Sequence, residues 1–451
     1  MVIRYRLSWL RERAVGSSFW RAVGMVAGGA AFAQALSLLA APILTRLYTP
    51  TEYGTFALYL SILLVLLVVA TLRYELAVPL PEDAAAAAHL LVLALIIALA
   101  VSSLFGAAVA LGAERALGPG PASALAPYLW LGPIALFAAS TYQTLTYWAM
   151  RDNAFGAIAK TRIVQGVGRT STQLALGALG SGAIGLILGD MVGRAASGGL
   201  LAGTVGRRSW RALSAVRPAG VRRVAARYRR FAVLSTGSAL LDAGTLHLPA
   251  LLLSVSFAME TVGWFSLAQQ VIFLPIGLIA HAASQVYAGS APGAAREGPA
   301  RLRGLFLRTS LGLALIGAPP AIALALLGPP LFALVFGAEW ARAGTFASLM
   351  APILLSTFVM APLTYTLNVL GRVGILLLWD GVRFVAVLGA LIGVPALGGT
   401  PVQAVTAYTA ALAAAHAALY VICLWQISAT RVDGPAQQLK RYPEVRRGSE
   451  P

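Results

Sequence analysis

Apolar runs of about twenty residues, separated by short polar turns, recur along nearly the whole chain. A helix of that length crosses the roughly 30 Å hydrocarbon core of a bilayer, and no open, irregular backbone can do so without stranding its N–H and C=O groups in lipid. The runs lie near Trp20–Leu44, Thr55–Leu72, Ala84–Gly112, Ala122–Tyr147, Gly156–Leu179 and Ser181–Gly203, then Phe231–Ser254, Val262–Ala288, Thr309–Phe336, Gly344–Val369, Val373–Val394 and Val402–Ile427. Between the two groups lies Thr204–Arg230, with Arg207, Arg208, Arg211, Arg217, Arg222, Arg223, Arg227, Arg229, Arg230 and no acidic residue. The expected fold is therefore an all-α integral membrane protein, with about 12 transmembrane helices in two six-helix lobes around a central cavity. Its expected divisions are a basic segment 1–19, a first lobe 20–203, an arginine-rich loop 204–230, a second lobe 231–428 and a tail 429–451.

Charge then orients the chain. A net charge of +18 suggests nucleic acid in a soluble protein, but only 11% of this one is charged, and the basic residues gather in alternate turns. With the N-terminus inside, Arg73, Arg151, Lys160, Arg162, the central arginines, Arg296, Arg301, Arg303, Arg308, Arg372 and the tail's Arg431, Lys440, Arg441, Arg446 and Arg447 share one side. The other side keeps Arg46, Arg115 and Arg342. Positive-inside bias accounts for this pattern, places both termini in the cytoplasm and removes the reason to expect a nucleic-acid partner. One cysteine, Cys423, and the scattered His89, His247, His281 and His416 build no disulfide framework or metal cluster. No phosphate-cradling Gly-rich loop ending in Gly-Lys is present, so no cofactor is expected beyond coupling to a Na⁺ or H⁺ gradient.

The two halves share short patterns. Leu131-Gly132-Pro133-Ile134 with Leu145-Thr146-Tyr147 is echoed by Met350-Ala351-Pro352-Ile353 with Leu363-Thr364-Tyr365, and Gly54-Thr55-Phe56 by Gly263-Trp264-Phe265. Six-helix halves that start on the same side form a parallel repeat, with a substrate path between them and alternating access by rocking.

Ionisable residues within spans are costly, so they mark candidate sites. Arg169 and Arg383 fall mid-span in the fifth and eleventh helices, and guanidiniums facing a shared cavity suit a phosphate-bearing substrate. The competing reading pairs Arg383 with Asp380 one turn away, as a neutralised buried pair. Asp190 and Arg194 stand at i, i+4 in the sixth helix, where an internal pair is expected and Arg194 is a further candidate for substrate. Asp242 and His247 in the seventh helix, with Asp190 and Asp380, are the candidates for proton or cation coupling and gating.

At Leu44-Thr45-Arg46-Leu47-Tyr48-Thr49-Pro50-Thr51-Glu52-Tyr53-Gly54 the chain resembles bacterial polysaccharide exporters, the flippases for lipid-linked oligosaccharides, within the multidrug, oligosaccharidyl-lipid and polysaccharide exporter superfamily. The likeness continues in Leu72-Arg73-Tyr74-Glu75-Leu76-Ala77-Val78-Pro79, Phe336-Gly337-Ala338-Glu339-Trp340 and Leu367-Asn368-Val369-Leu370-Gly371-Arg372, and spans about residues 15–430. The resemblance implies a non-enzymatic transporter in the bacterial inner membrane. It implies two lobes around a cationic cavity, moving an undecaprenyl-diphosphate-linked oligosaccharide from the cytoplasmic to the periplasmic leaflet for surface polysaccharide such as O-antigen or capsule. Its partners would be the membrane, the lipid-linked oligosaccharide, a polysaccharide polymerase and a chain-length regulator. A cation-coupled multidrug exporter of the same superfamily is the alternative, expected to favour acidic cavity residues. A membrane polysaccharide polymerase or ligase is disfavoured, because no expected outer turn is long enough to carry a catalytic domain.

Overall fold

Tyr48 to Glu52 are the residues of a helix start, and the computed structural model shows why. Thr49 accepts a hydrogen bond from the Glu52 backbone N–H (3.3 Å), its own N–H donates to the Glu52 carboxylate (2.8 Å), and Pro50 occupies the first turn. This capping box satisfies two donors that a helix otherwise leaves open. The structure describes residues 2–112, 115, 118 and 120–429; the tail's Arg431, Lys440, Arg441, Arg446 and Arg447 lie outside them, as do the side chains of residues before 24 and of Arg207, Arg208, Arg211 and His281.

The described residues form helices joined by short turns, with no strand: α1 (Val2–Leu47), α2 (Pro50–Ala70), α3 (Ala84–Ala110), α4 (Leu131–Arg151), α5 (Phe155–Ala178), α6 (Ala183–Ser214), α7 (Pro218–Ser256), α8 (Met259–Pro275), α9 (His281–Glu297), α10 (Pro299–Phe336), α11 (Ala341–Leu363), α12 (Tyr365–Val369), α13 (Val373–Ala396) and α14 (Pro401–Ala429). Large apolar side chains such as Leu104, Leu326 and Leu397 face outward, as lipid-facing positions do.

Among the described residues nine helices are long and apolar enough to span a membrane, or ten if the short helix Pro121–Tyr128 and α4, bent by 72°, form one span. That is fewer than the expected twelve, for local reasons. α5 carries Lys160, Arg162, Gln165 and Arg169, and the expected eighth run is divided at Ile276–Ala280, a wider π turn just after Pro275. The order of the expected runs is kept. The expected loop 204–230 is helix except at Ala215–Arg217, because α6 and α7 both continue through the arginine-rich stretch. The expected basic segment is likewise, from Val2 on, the beginning of α1.

One shared apolar core joins the halves at one end. A single apolar core joins Leu44, Tyr48, Tyr53 and Phe56 of the first half to Phe265, Trp340, Phe346 and Tyr408 of the second. Within it α2 crosses α8 at Gly54 and Gly263, the two glycines of the internal repeat. A Cβ on Gly54 would stand 2.1 Å from the Met259 carbonyl oxygen, and one on Gly263 would stand 2.0 Å from that of Pro50. Each glycine thus sits against the carbonyl four residues before its counterpart, a reciprocal contact that only hydrogen side chains permit. At the opposite end the core is split. Tyr74, Leu90, Trp148 and Val224 form one cluster, and Tyr287, Phe306, Trp379 and Cys423 form another. The cavity lies between the walls that this splitting leaves apart.

Candidate functional site: the cavity between the halves

The cavity has a volume of about 800 Å³ and is lined by Leu64, Leu67 and Val68 of α2, Arg73 and Leu76 just beyond it, Gln143 of α4, residues between Ser235 and His247 of α7, and Asp380 of α13. A second space of about 290 Å³ among α4, α5 and α6 shares Leu67 and Gln143 with it and adds Arg162, Gln165 and Arg194. The first-half wall is therefore basic, with Arg73, Arg162 and Arg194. Asp242, His247 and Asp380 stand on the second-half wall.

A break in the backbone puts Arg73 there. After α2, Leu72 and Arg73 take φ of 47° and 61°, the left-handed region that side chains disfavour. Two adjacent residues so placed cost of order 1–3 kcal/mol each and persist only where the surroundings fix them. The chain then enters a short 3-10 turn, Tyr74–Ala77. Glu75 is fully buried there: Thr71 Oγ1 donates to its Oε2, and Gln143 Nε2 donates to its Oε1 at 2.8 Å. Arg73 Nη1 approaches the same Oε1 at 3.8 Å. The hydroxyl of Tyr74 donates to the Ala225 carbonyl of α7 at 3.0 Å, tying the turn to the helix that lines the facing wall.

The expected site residues are distributed as follows. Asp242, His247 and Asp380 gather on one wall of the main cavity, and Arg194 lines the smaller space. Arg194 Nε donates to Asp190 Oδ2 at 2.6 Å, and Asp190 is buried, with Arg169 Nη1 4.0 Å from its other oxygen. Arg169 also lies over the Phe56 ring at 5.7 Å. Arg383 Nη2 contacts Asp380 Oδ1 at 3.0 Å and Asp242 Oδ1 at 3.5 Å, with its guanidinium 4.6 Å from the centre of the Trp379 ring. Arg169 and Arg383 are thus each turned onto carboxylates of their own half, and neither lines these two cavities.

Three polar residues of the walls, Arg73, Glu75 and Gln143, carry no site role in the sequence reading, and Arg162 enters it only as a charge that orients the chain. Arg73 likewise served topology, because its position at a helix end reads as the membrane surface. The left-handed pair that turns it inward has no glycine or asparagine to announce it. His416 packs against Trp379 with ring centres 6.0 Å apart, its Nδ1 3.0 Å from Ser356 Oγ.

A sequence model described as "Polysaccharide biosynthesis protein" matches residues 43–344, from the end of α1 into α11. The chain belongs to this family of polysaccharide biosynthesis proteins. The match takes in the basic wall together with Asp242 and His247 of the other, and ends before Asp380 and Arg383. No curated protein sequence matches significantly. Solved structures similar to this family member include the lipid II flippase MurJ in an inward closed conformation, 11% identical, with a TM-score of 0.66 over 91% of this chain and 86% of that one. Another is an inward-facing multidrug resistance MATE family transporter of the MOP superfamily, 15% identical, with a TM-score of 0.62 over 90% and 94%. A Vibrio cholerae MATE transporter variant is 12% identical, with a TM-score of 0.56 over 96% and 98%. The polysaccharide biosynthesis family member therefore has the all-α membrane fold of these transporters.

Proposed function

We propose that this protein is a flippase that carries a lipid-linked oligosaccharide, attached through undecaprenyl diphosphate, from the cytoplasmic to the periplasmic leaflet by alternating access. The observation that carries the reading is the cavity of about 800 Å³, closed at one end, with Arg73 on its first-half wall and Arg162 and Arg194 lining the smaller space beside it, in a polysaccharide biosynthesis family member. A space of this size accommodates a charged headgroup and a few sugars, within the range of small-molecule sites. A diphosphate leaving water loses hydration, and guanidiniums such as Arg162 offset part of that loss through charge-assisted, two-pronged hydrogen bonds. Asp190 holds Arg194 in the same wall, and Arg169 supports the pair from behind through Phe56 and Asp190.

The facing Asp242 and Asp380, bridged by Arg383, together with His247 supply the groups for Na⁺ or H⁺ coupling. The same carboxylates favour the second reading, a cation-coupled exporter of small molecules. The arginines opposite them weigh for an anionic cargo. Positive-inside bias supports cytoplasmic termini in the inner membrane, where a polymerase and a chain-length regulator would receive the flipped unit.

The test uses a bacterial strain lacking its own flippase, with surface glycan and protein abundance measured together for Arg162→Ala. The Arg162 guanidinium lies 5.7 Å from the centre of the Tyr142 ring and holds no buried carboxylate among the described residues, so the variant should accumulate normally. Surface glycan should fall about tenfold, in line with the loss of a charged hydrogen bond. Full surface glycan at normal abundance would remove the basic wall from the mechanism, and altered drug resistance with unchanged glycan would favour the exporter.

A further inference from the structure

Resting on the anionic-substrate reading above, we infer that Arg73 is the residue that binds the phosphate-bearing head of the substrate, and that Glu75 is a positioning residue that holds Arg73 until the anion arrives. The contrast among the arginines carries the argument. Arg194 is committed to buried Asp190 at 2.6 Å, and Arg383 contacts both Asp380 and Asp242. Arg169, 4.0 Å from Asp190, lines neither of the two cavities. Withdrawing Arg194 or Arg383 leaves a carboxylate without its closest cation, an expensive rearrangement in a low-dielectric interior.

Arg73 stands in a different position. Its closest carboxylate oxygen is 3.8 Å away, beyond hydrogen-bond range. It lines the main cavity, so a ligand there reaches it directly. Glu75, for its part, is already satisfied by Thr71 Oγ1 and Gln143 Nε2. When Arg73 exchanges Glu75 for a phosphate, it gains a better partner and Glu75 keeps two neutral donors. The exchange takes from Glu75 a cation that was already beyond hydrogen-bond range and leaves both of its hydrogen bonds in place.

The surroundings favour one direction of approach. Asp242 and Asp380 stand across the cavity, and an anion is repelled from that wall toward Arg73. The left-handed pair Leu72 and Arg73 holds the side chain on the cavity side, so little freedom remains to be lost on binding. The Tyr74 hydroxyl links the same turn to Ala225, and α7 runs from there to Asp242 and His247. Displacement of the turn on phosphate binding is thereby passed to the helix that forms the opposite wall.

The experiment measures binding of inorganic pyrophosphate to the full-length protein in detergent by titration calorimetry, with thermal melting to verify folding. The wild type should bind, Arg73→Ala should bind about tenfold or more weakly, and Arg73→Lys should fall between them because it keeps charge but loses the planar fork. Glu75→Gln should tighten binding several-fold, since it removes the competing anion; a purely structural Glu75 gives weaker binding instead. Gln143→Glu, which adds a second carboxylate beside Arg73, should weaken binding and provides the same test if Glu75→Gln does not fold. Equal affinity in the wild type and Arg73→Ala overturns the role of Arg73 and leaves the flippase reading standing. Weaker binding in a folded Glu75→Gln overturns the role of Glu75. A wild type that binds no pyrophosphate overturns this inference and the anionic substrate together.

Discussion

The two ends of the molecule are built by different means. At the closed end the halves share one apolar core, pinned where Gly54 and Gly263 let the α2 and α8 backbones touch. Around the crossing, Trp340 Nε1 donates to the Thr45 carbonyl at 2.8 Å, Arg46 Nη1 to that of Val335 at 3.1 Å, and the Tyr53 hydroxyl to Gln270 Oε1 at 2.5 Å. At the open end each half keeps its own core, and α7 begins on the first-half core through Val224 before passing to the second half. That packing is joined by two hydrogen bonds, from the Tyr74 hydroxyl to the Ala225 carbonyl and from the Arg217 N–H to His89 Nε2 at 3.1 Å. In lipid, helices gain little from burying apolar surface against one another and depend on close packing and hydrogen bonds. The glycine crossing therefore concentrates the attraction between halves, whereas the open end is joined by bonds worth about 1 kcal/mol each that can be exchanged.

Breaking the closed end should give the largest effect. In Gly263→Val the new Cβ meets the Pro50 carbonyl oxygen at 2.0 Å and its carbon at 2.8 Å, and backbone cannot swing aside as a side chain would. Overpacking of this kind costs about 3 kcal/mol or more, so the thermal midpoint in detergent should drop sharply. A midpoint equal to the wild type would show that the two ends do not differ in this way. A smaller loss is expected from Trp340→Phe, which retains the edge-to-face contact with Tyr53 (5.4 Å between ring centres) but deletes the bond to Thr45. About 1 kcal/mol should be lost in denaturant unfolding, and no change would assign Trp340 a packing role alone.

The smallest effect is expected at the open end, where Asp83 caps α3 and accepts from the N–H groups of Ala85 (3.1 Å) and Ala86 (3.0 Å). Those bonds hold its carboxyl below the ordinary aspartate value of 3.8. A depressed value means stability that is present above the ordinary value and is lost as pH falls through the depressed one. Asp83→Asn should therefore leave the melting temperature near pH 7 almost unchanged and flatten its decline in acid. An identical acid limb in both proteins would show that the cap carries no pH-dependent stability.

Some of this was legible from local residues. The echo of Gly54-Thr55-Phe56 in Gly263-Trp264-Phe265 marked two related positions, whereas the capping box of Thr49 and Glu52 starts α2 ahead of the expected Thr55. That the two glycines touch each other was not legible, because a repeat identifies equivalent residues without saying which of them lie at the boundary between copies. Asp190 with Arg194 and Asp380 with Arg383 followed from helical spacing, since partners one turn apart are neighbours whatever the tertiary fold. Asp242 beside Arg383 and Gln143 beside Glu75 join residues of different helices, and no spacing rule reaches them.

The sequence by itself determined that the chain is a bundle of membrane helices in two halves, because hydropathy and helix length are sums over neighbours in the chain. It did not determine which arginines meet the cavity. Arg169 and Arg383 are near the middle of their helices yet turn onto carboxylates, whereas Arg73, at a helix end, is brought inside by a left-handed break. Where a charge points depends on the rotation of its helix against the neighbours and on how the chain leaves the helix. Those are settled only when the helices pack, since each charge then takes the lowest-energy partner within reach.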